Sequence, residues 1–135
     1  MYNMNTNEWQ YIQNMNYERF GLSLQKLKEK NNNIIAIGGY DNDEKYNIVE
    51  EYDFAKQKWH QLPNTIDKHR WYCGIYVLNN IIYVFGDGDG DGGNYGICEM
   101  YDSRQEKWSK IDGLSKLLNF SNDDCNKRLF QRILC

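Results

Sequence analysis

The chain has 135 residues, 41% of them apolar, and a nearly balanced charge of −3, which suits one compact domain of ordinary size. No basic block is longer than Lys127 and Arg128, so the electrostatic footprint of a nucleic-acid reader is missing. No run approaches the ~18 apolar residues that cross a bilayer, and Met1 to Gln10 lacks the basic-then-apolar order of a secretory signal; a soluble, cytoplasmic protein touching neither nucleic acid nor membrane is expected.

The first regularity starts at the N-terminus. Trp9, Trp59 and Trp108 lie 50 and 49 residues apart, and each follows a Tyr by seven positions: Tyr2, Tyr52 and Tyr101. The words between them are alike and polar, such as Tyr52-Asp53-Phe54-Ala55-Lys56-Gln57-Lys58-Trp59 and Tyr101-Asp102-Ser103-Arg104-Gln105-Glu106-Lys107-Trp108. A period near 50 marks a repeat architecture. Along the chain, Trp9 to Ile12 reads as the last strand of a preceding unit.

Within the next unit, Gly21 to Leu27 and Asn33 to Gly39 are apolar, β-branched runs, the second closed by Gly38 and Gly39. A polar loop leads to Ile48–Tyr52, and Lys58 to Leu62 carries the Trp. The following unit repeats the order: Cys73 to Leu78, the turn Asn79-Asn80, Asn80 to Gly86, an Asp- and Gly-rich loop, Ile97–Tyr101, then Lys107 to Ile111. No long stretch keeps a helical period before residue 112. Four antiparallel strands in ~50 residues form one blade of a β-propeller. The fold class is therefore all-β, with about two four-stranded blades, 19–62 and 63–112, after one strand of a preceding blade in 1–18. The tail, 113–135, breaks the frame, because Leu114, Leu117, Leu118, Leu129, Phe130, Ile133 and Leu134 have short helical spacing. Since a closed propeller needs at least four blades, a partial chain of a longer propeller, a fragmentary gene product or assembly with another chain is expected.

These spaced elements resemble the kelch-repeat family. Its glycine pair, Tyr-Asp step and later Trp are matched by Gly38-Gly39, Tyr52-Asp53 and Trp59; the second unit keeps Tyr101-Asp102 and Trp108 but has Gly86-Asp87 for the glycine pair. An Arg near the first strand, typical of the family, appears as Arg19 and Arg70. Tyr52, Trp59, Tyr101 and Trp108 are expected to be structural, their large rings lying against a neighbouring blade. Gly38, Gly39 and Gly86 are expected to permit backbone angles and close approaches that side chains would block.

The resemblance implies a protein-binding module without catalysis, most often substrate recognition in a cullin-RING ubiquitin ligase adaptor whose separate BTB domain meets the cullin. An actin-associated scaffold is the alternative, and a propeller enzyme a distant third. Partners of such propellers usually meet loops at one rim, here Asn14 to Tyr17, Tyr40 to Asn47, Asn64 to Tyr72 and Asp87 to Gly96. The candidate contacts are Tyr40, Asp41, Asp43, Tyr46, His69, Arg70, Trp71, Tyr72, Asp87, Asp89, Asp91 and Tyr95. Arg70 could equally make a structural salt bridge, and Trp71, which stands where the first unit has Phe20, could equally pack in the blade.

Other chemistry is weaker. Asp87 to Gly93 resembles the first half of a calcium loop, yet its twelfth position is Cys98 where a bidentate Glu is needed, so no metal is expected. His60 and His69, the two histidines, stand in no nucleophile motif. Cys73, Cys98, Cys125 and Cys135 have no metal-ligand spacing and read as small buried hydrophobes in a reducing compartment. The 17 Asn, including Asn31 to Asn33, read as loop material, and no cofactor is expected.

Overall fold

The computed structural model describes residues 1–27, 31–41, 46–66, 72–86 and 98–111. The expected helical spacing of the tail and the acidic loop from Asp87 lie outside these residues. All regular structure among them is β. A short hairpin pairs β1 (Tyr2–Asn3) with β2 (Glu8–Trp9). One four-stranded meander follows, from β3 (Ser23–Leu27) through β4 (Asn33–Ile37) and β5 (Val49–Asp53) to β6 (Lys58–Leu62). A second comprises β7 (Gly74–Leu78), β8 (Ile81–Phe85), β9 (Cys98–Asp102) and β10 (Lys107–Lys110). Every pairing is antiparallel between chain neighbours, the arrangement of propeller blades.

The N-terminal piece is a hairpin of two strands. The expected strand from Trp9 to Ile12 shortens to Glu8–Trp9, and Tyr2–Asn3 joins it as a partner; Gln10 N–H still donates to Met1 O at 2.7 Å. Its register pairs Tyr2 with Trp9, just as Tyr52 pairs with Trp59 and Tyr101 with Trp108. Ring centroids in the three pairs stand 5.3, 5.3 and 5.1 Å apart. The turn between each pair is set by one side-chain oxygen. Oδ1 of Asp53 accepts from the N–H groups of Ala55 and Lys56 at 2.9 and 3.1 Å, Oδ1 of Asp102 from Arg104 at 2.8 Å, and Oδ1 of Asn3 from Asn5 and Thr6 at 3.0 and 3.4 Å. Those bonds hold the Asp53 carboxyl below its ordinary pKa, the N–H of Lys56 contributing most.

Strand alternation decides what lies between the two sheets. Ile35 and Ile37 of β4, Val49 of β5 and Leu27 of β3 are buried with Ile75, Ile82, Val84, Tyr101 and Trp108 of the second sheet. Each such aliphatic side chain contributes roughly 1.5–3 kcal/mol when fully buried. β3 and β7, the first strands of the two sheets, lie side by side along this seam. Burial pushes the Tyr101 phenol above its ordinary pKa, with the Glu106, Glu51 and Asp102 carboxylates adding to the shift.

The two later tryptophans fasten connectors as well as packing. Trp59 Nε1–H donates to Gln13 O at 2.9 Å, and Trp108 Nε1–H to Pro63 O at 2.7 Å. In each case the acceptor belongs to the segment leading into that tryptophan's own sheet. Trp9, by contrast, is 80% exposed.

Four asparagines take the turn conformations expected of loop material, and Asn33 opens β4, as the run from Asn33 to Gly39 implies. Asn31 and Asn32 have φ of 52 and 60°, and Asn79 and Asn80 have 51 and 65°, the left-handed backbone Asn tolerates. Asn33 is a buried residue of β4: its Nδ2 donates to Glu51 Oε1 at 2.7 Å and its Oδ1 accepts from Phe54 N–H at 3.3 Å. A buried amide with both ends bonded is a structural part of the sheet.

Candidate rim site

The meander brings the connectors β4–β5, β6–β7 and β8–β9 out at one end of the sheets, along with the segment that enters β3. Arg19, on that entering segment, anchors this rim. Its Nη1 donates to Gly38 O at 3.0 Å and Ile48 O at 2.8 Å, and its Nη2 to Glu50 Oε2 at 2.9 Å. Glu50 Oε1 in turn accepts from Asn16 N–H and Nδ2 at 2.9 and 2.7 Å. One fully buried ion pair thus ties the end of β4, the start of β5 and the connector ahead of β3. Burial lowers the Arg19 pKa while Glu50 opposes the shift, and a guanidinium stays charged throughout. The second sheet repeats half of this wiring: Glu99, also buried, accepts from Ile66 N–H at 3.2 Å through Oε2.

On this base sits a group of aromatic rings. Phe20 and Tyr40 exchange backbone hydrogen bonds, both 2.9 Å, and their ring centroids lie 3.8 Å apart at 55°. Between them and the second sheet is Gly21, with φ +65°. A Cβ there would come within 2.9 Å of Tyr40 Cε1 and 3.3 Å of Tyr72 Cζ, so the residue must be glycine for the rings to gather. Tyr72 N–H donates to Gly21 O at 2.7 Å, locking the start of the second sheet to the start of the first. Phe20 is 48% exposed and Tyr72 64% exposed. Beside Tyr40, the Asp41 carboxylate accepts from the Tyr46 hydroxyl at 2.6 Å, and Tyr46 N–H donates to Gly39 O at 2.8 Å.

Of the sequence candidates, Tyr40 and Tyr72 come together across Gly21, while Asp41 and Tyr46 pair within their own connector. Asp43, His69, Arg70, Trp71, Asp87, Asp89, Asp91 and Tyr95 lie outside the described residues. Phe20 and Gly21 join the site without being among those candidates. The signal for Phe20 is its match to Trp71, an aromatic at the same place in both repeats; nothing in the sequence marks Gly21 as the space that gathers the rings.

The glycines differ in their reasons. Gly39 has φ +100°, and a Cβ there would meet Phe20 O at 3.0 Å. Gly86 has φ +78° and open space, with no atom within 4 Å of where a Cβ would stand, so its backbone angle alone calls for glycine. Among the described residues no group of three or more His, Cys, Asp or Glu side chains could hold a metal ion, and no helix is long and apolar enough to cross a membrane. Cys73 and Cys98 are both buried.

Comparison with known families finds the Kelch motif over residues 30–65. That stretch contains β4, β5 and β6, together with Gly38, Gly39, Tyr52, Asp53 and Trp59.

Proposed function

We propose, from the kelch motif matched over residues 30–65, that the rim of this chain is the binding face of a protein–protein interaction module that recognises substrates for a cullin-RING ubiquitin ligase. The observation that carries this reading is the placing of Phe20 and Tyr72, two exposed aromatic side chains, on the rigid Arg19–Glu50 base. Aromatic anchors held by a stiff scaffold bind with little loss of side-chain entropy, and such side chains dominate interface energies. Asp43, Arg70, Trp71 and the acidic residues from Asp87 are proposed to extend the same face, and the repeats are assigned to 19–62 and 63–112.

The test pairs the wild-type chain with Phe20→Ala and Tyr72→Gly in cross-linked capture from cells, followed by identification of the captured protein. A ligase substrate accumulates when cullin neddylation is blocked, and its capture drops in both variants. Co-sedimentation with filamentous actin, unchanged abundance of the captured protein after the block, and loss of actin binding in the variants would instead support the scaffold reading.

A further inference from the structure

Of the three tyrosines in the repeated Tyr–Trp pairs, two have a further strand beside them and Tyr2 has none. Ile34 of β4 stands opposite Tyr52, and Ile82 of β8 opposite Tyr101. In the N-terminal hairpin the Met1 amine donates to Gln10 O at 2.6 Å, and Gln10 N–H donates to Met1 O at 2.7 Å. Alternation then turns the N–H and C=O of Tyr2 away from β2, and among the described residues no strand pairs with them. β1 is therefore an open edge that presents one donor and one acceptor.

The face of the first sheet next to that edge is uncovered as well. In the second sheet, Ile75 and Val77 of β7, paired with Val84 and Ile82, face the seam between the sheets. The same places in the first sheet hold Leu24 and Lys26, paired with Ala36 and Ile34. Leu24 is 61% exposed where Ile75 is 8% exposed. A groove of about 510 Å³ runs over Leu24, Lys26, Ile34 and Phe54 to Met1 at the start of the hairpin. Lys26 departs from the repeat, which has Val77 there, and among the described residues its ammonium has no ion-pair partner.

We infer that this groove takes an extended strand of a partner protein, antiparallel to β1 and bonded to the N–H and C=O of Tyr2, with apolar side chains on Leu24 and Ile34 and a carboxylate on Lys26. The chain's own repeats give the occupant's chemistry. The strands that fill this place in the two sheets, β4 and β8, are rich in β-branched and aromatic side chains and set Ile opposite the Tyr. Backbone bonds along an open edge supply affinity, and alternate side chains supply specificity. Lys26 adds what the seam between the sheets lacks, a cation that a purely apolar strand leaves unpaired. Neither β4 nor β8 carries a carboxylate, which sets the partner apart from a second copy of this chain. Asn31 and Asn32 of the β3–β4 turn also line the groove, so this surface lies at the turn end, apart from the rim.

The experiment is an NMR titration of the 135-residue chain with a capped peptide of alternating Thr and Ile that carries one Glu, and with the same peptide carrying Lys instead. Expected are saturable shifts of the Leu24 and Ile34 methyl groups, slowed exchange of the Tyr2 amide proton, and about two- to fivefold tighter binding of the Glu peptide. Lys26→Glu, at an exposed position, should reverse that preference. Tyr2→Pro removes the outward N–H and keeps the bonds to β2. It should bind the Glu peptide roughly three- to tenfold more weakly than Tyr2→Ala, which loses only the ring. Light scattering should find the chain monomeric before peptide is added. A dimer that Tyr2→Pro dissociates would give the edge to a second copy and overturn the inference. Absence of methyl shifts, unchanged exchange at Tyr2, or equal affinities for the two peptides would overturn it too.

Discussion

At the turn between its third and fourth strands each repeat is a copy of the other; at the rim the repeats part company. The turn end shows the same parts three times over, counting the N-terminal hairpin: an Asx oxygen bonded to the turn, a left-handed residue two before the Trp at Asn7, Gln57 and Glu106, and the Tyr–Trp ring pair. At the rim, Gly21 faces Tyr72 in the repeat alignment and Gly39 faces Asp87. Positions that hold a blade together are thus constrained by geometry common to all blades. Rim positions carry only the constraint of leaving their anchors in place, so they can differ between repeats and take on recognition.

The sharpest way to break that division is to cut the anchor beneath the rim. Arg19→Met leaves Glu50 buried with its Asn16 bonds but no countercharge. Breaking a buried pair from one side costs about 3–5 kcal/mol, a large part of the stability of a domain this size. Urea denaturation should show either a midpoint lowered accordingly or no cooperative transition. A loss below ~1 kcal/mol would mean the rim does not depend on this pair.

A smaller effect compares the copies of the turn end. Trp108→Phe removes the donor to Pro63 O from a ring that is only 6% exposed, and loss of such a part-buried bond costs about 0.5–1.5 kcal/mol. Trp59→Phe should cost less, since its bond to Gln13 O is exposed. Trp9→Phe should be close to neutral. If all three substitutions cost the same, burial between blades is not what separates these tryptophans.

The same division explains what can be read from the sequence. Tyr52, Trp59, Tyr101 and Trp108 are visible because large rings at a fixed step are needed in every copy, and the strands follow from apolar runs between recognisable turns. Asn33 reads both as one of the loop-rich asparagines and as the first residue of the run to Gly39; that its amide bonds Glu51 and a turn N–H leaves no periodic trace. The short β1 escapes for a related reason: Tyr2–Asn3 is too brief to alternate, and its pairing is visible only through the Tyr-to-Trp spacing shared with the other copies. The rim is legible as a set of loops. Which side chains meet there is not, since Phe20, Tyr40 and Tyr72 are brought together by backbone bonds between segments distant in sequence, around a glycine whose role is to have no side chain.

Tyr72 offers a test in which stability and recognition move in opposite directions. Tyr72→Gly relieves a left-handed backbone worth about 1–2 kcal/mol for a side-chain-bearing residue, although glycine regains part of this as extra freedom in the unfolded chain. The ring is mostly exposed, so little burial is lost. Thermal unfolding should show unchanged or slightly raised stability, while partner binding falls. A clear loss of stability would place Tyr72 with the structural residues and remove it from the recognition face.

The smallest expected effect lies in the turn itself, where Asn3 already performs with an amide what Asp53 performs with a carboxylate. Asp53→Asn should therefore preserve the turn at neutral pH and change only its response to acid. The native carboxyl titrates below its ordinary value of 3.8 because the Lys56 N–H, the Lys56 side chain and the Ala55 N–H favour its charged form. A carboxyl whose pKa is lower in the folded than in the unfolded chain contributes stability above the unfolded value, and that contribution fades as pH falls through the folded one. The difference in unfolding free energy between wild type and Asp53→Asn should consequently be constant from neutral pH down to about pH 5 and shrink on further acidification. A difference that does not change with pH would show that the oxygen's geometry, and not its charge, is what the turn uses.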